Sequence, residues 1–306
     1  MLNTQYYLVA GHTFSLQMED NHILWQKASN YAPFLQTERP KSELVFQLTV
    51  CPMGTPLPQP EKTIGTFDCD AAWIQIDSTA NNSRIFKIAS NAAEKEKAAI
   101  LLADPTFSCG KLWLPEKAAL GLQYFALNNA VMMLFAFSTA HRDTLLMHAS
   151  VVCRHGYGYL FLGRSGTGKS THSSLWLKNI SDCMLLNDDN PAIRIQDGQA
   201  KVFGTPWSGK TPCYLNSQAH IGAIVQLEQA LFNRIKRLNN LQAYAAVRSA
   251  SSFMKWERQQ ADGLHHTLQQ LLAHTPIYHL QCLPDKNAAY LCCNTVTPCP
   301  KEGLQK

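Results

Sequence analysis

The run Gly163-Arg164-Ser165-Gly166-Thr167-Gly168-Lys169-Ser170 fits the spacing G-x-x-x-x-G-K-[ST]. Glycines at these places let the backbone curl until successive N–H groups point inward, the geometry that holds phosphate oxygens. A helix opening at Lys169 adds the positive end of its dipole. Lys169 then reaches the β- and γ-phosphates, and the Ser170 hydroxyl is placed to ligate Mg²⁺. Thr171 continues the cradle into the helix. A chance turn would fit the pattern equally well, but YLFL before it reads as a buried strand and THSSLWLKN after it as a helix. That flanking context is what a phosphate loop requires.

Nineteen residues after Lys169, the apolar run Met184-Leu185-Leu186 ends in Asn187-Asp188-Asp189-Asn190-Pro191. Ligands of open α/β sheets collect at the carboxyl ends of strands, which sets this acid pair toward the phosphates. Two acids can divide the work, one holding the metal and the other accepting a proton from an attacking hydroxyl. Asp-Asn-Pro is also good turn chemistry. His148, in LLMHASVV, lies on the strand before the loop strand, either as a core histidine or as a group orienting a carboxylate. In VFGTPWSGK, Gly204, Gly209 and Lys210 suit a second anion-binding turn with Trp207 as a stacking face, and equally a plain connecting loop. His172, Arg154, Arg164 and Arg194 could each touch phosphate; His172 and Arg154 read rather as solvated surface, and Arg164 is better placed, inside the loop itself.

These groups must be positioned by strands alternating with helices. The pattern predicts strands at Leu145–Cys153, Gly158–Leu162, Met184–Asn187, Ala192–Gln196 and Ile221–Glu228, and helices starting at Lys169 and near Leu241, Phe253 and Asp285. Upstream, residues 1–115 read as β-rich, with YYLVAG, LVFQLTV, AWIQID, RIFKIA and KLWL separated by proline-rich or polar turns. Between the two lies Ala118–Ala140, 23 residues without a charge and long enough to span a bilayer. Gln123, Asn128 and Asn129 interrupt it, so a buried helix is expected rather than a membrane span. The division expected is a β-rich domain over 1–115 and a nucleotide-binding domain over 116–306.

The 306 residues carry 27 Lys/Arg and 22 Asp/Glu, with 46% hydrophobic residues, a globular composition. The positive excess is confined to residues 116–306, which hold 18 basic against 11 acidic residues, as suits an anionic ligand. No run of five basic residues occurs, which argues against nucleic acid. The ten cysteines include no Cys-x-x-Cys pair, and Met1–Ala10 has no signal-peptide character, so free thiols in a cytoplasmic protein are expected.

Met147-His148 on one strand, Gly163 to Ser170 on the next and a strand ending in Asp188-Asp189 resemble the catalytic core of the HPr serine kinase family, a core shared with ATP-dependent phosphoenolpyruvate carboxykinase. The resemblance covers about residues 145–228. It implies an α/β (α+β) fold with a carboxykinase-like P-loop core and a twisted mixed sheet. The activity implied is a kinase using ATP and Mg²⁺ to phosphorylate a hydroxyl, serine above all, of a peptide, small protein or amino acid. By the same resemblance Lys169 binds phosphate, Ser170 and Asp189 hold Mg²⁺, Asp188 is the base and His148 supports it. Where HPr kinases carry an acidic residue followed by Arg-Gly-Leu-Gly, this chain has Gly204 to Lys210, which separates it from HPr as the implied acceptor. A nucleotide switch and a non-catalytic nucleotide-binding scaffold are the alternative readings, and a homo-oligomer stays open.

Overall fold

The computed structural model describes residues 1–69, 72–254 and 257–297. The chain divides into two compact units, Met1–Arg142 and Asp143 onward. In the first, the strands are β1 (Leu2–Val9), β2 (His12–Glu19), β3 (Leu35–Gln36), β4 (Leu44–Val50), β5 (Lys62–Cys69), β6 (Ala72–Ser78), β7 (Arg84–Ala89), β8 (Ala99–Ala103) and β9 (Cys109–Trp113). They form one sheet in the order β3-β1-β2-β4-β9-β8-β7-β6-β5. The pairs β2/β4 and β4/β9 are parallel and the others antiparallel. A four-residue helix α1 (Leu24–Lys27) touches the long helix α2 (Leu120–Thr139), which lies across β4, β7, β8 and β9.

Helix α2 is the uncharged segment, and it is buried from Val131 through Thr139 apart from half-buried Met132. Its polar side chains find protein partners. Asn128 Oδ1 accepts from the Tyr31 hydroxyl at 2.9 Å and from Asn30 Nδ2 at 3.2 Å. Gln123 Nε2 donates to the Ala118 carbonyl at 3.1 Å, and Asn129 Nδ2 to that of Phe125 at 2.8 Å. Phe135 sets its edge against Phe14, which stacks on Phe46 at 4.6 Å. The helix therefore belongs to the first unit, whereas a boundary at residue 116 would assign it to the second; its apolar surface has its partner in the preceding sheet.

The second unit contains β10 (Thr144–Leu146), β11 (Ala149–Arg154), β12 (Tyr157–Leu162), helix α3 (Lys169–Asn179), β13 (Cys183–Asn187), β14 (Ala192–Gln196), β15 (Gln199–Phe203), β16 (Gln218–Gln229), β17 (Arg234–Arg237), α4 (Asn240–Ala250), α5 (Arg258–His274), β18 (Ile277–Cys282) and α6 (Lys286–Val296). The sheet runs β10-β14-β15-β16-β12-β11-β13, with β18 beside β16 and β17 beside β18. It is mixed: β12 and β18 run parallel to β16, and the remaining pairs are antiparallel. The side-chain period of two splits its residues between two faces. Val151, Leu160, Leu162 and Ile224 pack with Val247, Leu264, Leu268 and Leu271 of α4 and α5. Val152, Tyr159, Phe161 and Val225 pack with Trp176, Ala289 and Cys292 of α3 and α6. The single strand expected over Leu145–Cys153 is two, broken at Met147-His148. There the chain bonds to other segments, Met147 N–H to Pro191 O and His148 N–H to Ala250 O.

Replacing Asn128 with Ala removes the acceptor shared by Asn30 and the buried Tyr31 hydroxyl. A loss of about 2 kcal/mol is expected, read as a lower urea midpoint at unchanged secondary structure.

Candidate active site

Strand β12 delivers the loop. Residues 158–162 are buried, and the chain then turns through Gly163 to Gly168 into α3. Gly166 and Gly168 have φ of +78° and +103°, and the value at Gly168, directly before the helix, is one that a side chain would strain. Within the loop Thr167 N–H donates to Arg164 O at 3.1 Å, and Gln229 Nε2 from the end of β16 donates to Gly166 O at 3.1 Å. The helix is clamped to the sheet by Trp176, whose ring centroid lies 5.2 Å from Tyr159 and 5.5 Å from Phe161.

Lys169 is buried, and its ammonium is anchored at its own loop, 3.0 Å from Gly163 O and 3.4 Å from Arg164 O. It also lies 2.9 Å from His148 Nε2. Burial lowers the Lys169 pKa, opposed by the fields of Asp189 and Asp188. An ammonium only donates, so His148 Nε2 accepts and its proton sits on Nδ1. That nitrogen is 3.0 Å from Asp189 Oδ1. An unbroken hydrogen-bond chain thus joins Lys169, His148 and Asp189. The expected partnership of His148 with Asp188 is replaced by one with Asp189, because Ala149 N–H binds Asp189 O and draws that residue to the start of β11.

Asp188 faces the other way and is 4% exposed. Its Oδ1 accepts from Ser150 Oγ at 2.8 Å, and Ser150 Oγ lies 2.6 Å from Ser173 Oγ on α3. Its Oδ2 accepts from Thr211 N–H at 3.3 Å. Ser170 is one turn before Ser173 on the same face of α3. The Ser170 hydroxyl and the two carboxylates are hard oxygen donors, the set that suits Mg²⁺. Among the described residues no group of three or more His, Cys, Asp or Glu side chains could hold a metal by itself. A Mg²⁺ here would therefore rely on phosphate oxygens and water for its remaining ligands.

The segment Gly204–Lys210 packs against this acid turn. Asn187 Nδ2 donates to Thr205 Oγ1 at 3.1 Å and to Trp207 O at 3.2 Å, while Thr205 Oγ1 donates to Asn190 O at 2.7 Å. Gly209 approaches so closely that a Cβ there would sit 2.8 Å from Asp188 O. Lys210 is exposed beside it. Trp207 is 2% exposed, so it is a core anchor for this loop and offers no stacking face.

Two cavities flank the glycine-rich loop on its β16 side. One, of about 500 Å³, is lined by Gly168, Thr171, Leu175, Leu227, Leu231 and Leu283 among others. The other, about 640 Å³ and more open, is lined by Gly163–Thr167, the last residues of β16 and His279. Arg164 lines the open one, whereas Arg154 is tied to Ser181 O at 3.1 Å, away from the loop. Arg194 lies on β14, in the field of Asp143. His172 is buried instead of solvated: its Nε2 accepts from Trp176 Nε1 at 3.1 Å, and Phe161 meets its ring edge-on at 4.7 Å. Ser150, Ser173 and Thr211 are site residues that the sequence reading passed over. A lone serine inside the buried strand ASVV was the available signal for Ser150; Thr211 binds through its backbone, which no side-chain pattern reports.

No protein-family model matches the chain, and no curated protein matches it. Solved structures do. One is the HPr(Ser) kinase/phosphatase from Coxiella burnetii, 12% identical over 48% of this chain and 90% of that one, with a TM-score of 0.28. So loose a superposition leaves the family open.

Burial lowers the His172 pKa to about 4 from 6.5. The unfolded chain therefore takes up this proton first, and stability present at pH 7 is lost as the pH falls from 6.5 toward 4. His172→Gln should flatten that slope, a difference of up to about 3 kcal/mol near pH 4, measured by urea unfolding across the range.

Proposed function

We propose that the second unit, the HPr kinase-like nucleotide-binding domain, is a kinase that uses ATP and Mg²⁺ to phosphorylate a hydroxyl, serine foremost, of a peptide, small protein or amino acid. The observation that carries this reading is the hydrogen-bond chain from Lys169 at the glycine-rich loop through His148 to Asp189. It supports the reading because a cation suited to a transferring phosphate and a carboxylate suited to an attacking hydroxyl belong to one connected network.

The loop N–H groups of Arg164 to Ser170 and the α3 terminus receive the phosphates, drawing Lys169 Nζ off the loop carbonyls that now hold it. Thr171 and the apolar cavity of about 500 Å³ beyond it take the nucleoside. Ser170 on α3 and Asp188, which is linked to that helix through Ser150 and Ser173, would hold Mg²⁺; when bound, the ion would neutralise charge on the phosphates. Asp189 is 31% exposed at its side chain and Asp188 is enclosed, so the proton of the acceptor goes to Asp189. This exchanges the two roles implied by the resemblance, on the ground of access. The acceptor oxygen bonds to the γ-phosphorus while the bond to the β,γ-bridging oxygen breaks, and the electron pair leaves with ADP. His148 keeps the Asp189 carboxylate oriented. The exposed Lys210 suits the acceptor side, beside the acid turn.

Incubation with γ-labelled ATP and a cell extract should label a small set of hydroxyl-bearing species. Asp189→Asn should cut transfer at least about a hundredfold with nucleotide binding nearly intact. Asp188→Asn should instead weaken the Mg²⁺ dependence, and Lys169→Ala should lose both binding and transfer. Full transfer by Asp189→Asn would return the proton to Asp188. Tight ATP binding with no labelled acceptor would favour the non-catalytic scaffold. Gly209→Val, which must displace the acid turn, should lower transfer at least tenfold with little change in the ATP dissociation constant, as measured by calorimetry.

A further inference from the structure

The first unit has a cavity of its own, of about 570 Å³. Its apolar walls include Val50, Met53, Leu57, Ile100 and Trp113, and its lining holds Glu19, Glu96, Glu116 and His22 and, among the described residues, no lysine or arginine. Lys111 is felt by the Cys51 thiol but does not line the space, and Lys97, next to Glu96, is taken by Glu94 at 2.9 Å.

One wall is the segment CPMGTPLPQP, residues 51–60, whose four prolines stiffen it. It is fixed at two points: Cys51 N–H donates to Leu112 O at 2.8 Å, and Trp113 Nε1 to Thr55 O at 3.1 Å. A flexible arm would fold its apolar side chains onto the sheet. This one holds Met53 81% and Leu57 53% exposed at the cavity. The result is a preformed space with apolar walls and three exposed glutamates in its lining, of a size that takes a few residues.

We propose that this cavity binds a short peptide segment combining a lysine or arginine side chain with apolar neighbours. The cation meets Glu19, Glu96 and Glu116, and the apolar side chains cover Met53, Leu57 and Trp113. The proposal is independent of the transfer chemistry of the second unit.

The test is titration of the ¹⁵N-labelled full chain with a blocked octapeptide alternating lysine and leucine, and with its glutamate-for-lysine counterpart. The indole N–H of Trp113, assigned with Trp113→Phe, and the amides of residues 51–57 report on the cavity. Saturable shifts at those signals are expected with the lysine peptide alone. Binding should weaken about tenfold in the triple variant Glu19→Gln, Glu96→Gln, Glu116→Gln. Shifts confined to other surfaces, equal binding of the glutamate peptide, or undiminished binding by the triple variant would each overturn the proposal. The wild-type shift map stands even if the triple variant fails to fold.

Discussion

Folding takes the ammonium of Lys169 almost out of water, and the organisation of the second unit's site follows from that cost. A buried cation needs partners. Two come from the backbone of its own loop, which fixes the loop's curl, and the third is His148. Because the lysine can only donate, the imidazole tautomer is fixed, and with it the direction in which Asp189 must lie. Loop, histidine and carboxylate are therefore three consequences of where one charge was placed.

The mixed sheet makes this arrangement reachable. The loop strand β12 and the acid strand β13 both flank β11, so residues at the start of β11 lie beside both. His148 immediately precedes that strand, and Ser150 sits within it. One strand thereby supplies the contact for each carboxylate, His148 to Asp189 and Ser150 to Asp188. The side chains diverge accordingly: one acid is enclosed and hydrogen-bonded, the other stays within reach of solvent.

Much of this was legible in the chain. The loop and the start of α3 follow from Gly166, Gly168 and Lys169, where backbone sterics and a helix terminus coincide. Strand β14 was read with its observed bounds. The polar residues inside α2 marked it as a helix needing protein partners, and Tyr31 and Asn30 are two of them. What stayed hidden depended on pairing across the chain. The break at Met147-His148 comes from bonds to Pro191 and Ala250, and the choice between Asp188 and Asp189 comes from a backbone bond at Ala149. Trp207 looked available in a loop rich in glycine and proline because sequence does not reveal which way a tight loop folds its largest side chain. The strands β15 and β18 escaped for lack of clear alternation, since their neighbours in the sheet, more than their own pattern, define them.

Gln229 lines both cavities beside the loop and binds Gly166 O at 3.1 Å. With the Thr167–Arg164 turn, it fixes the shape of the glycine-rich loop. Much of the disorder that a glycine-rich segment would otherwise keep has thus been surrendered during folding, so any ligand held there would spend less of its attraction on freezing the chain.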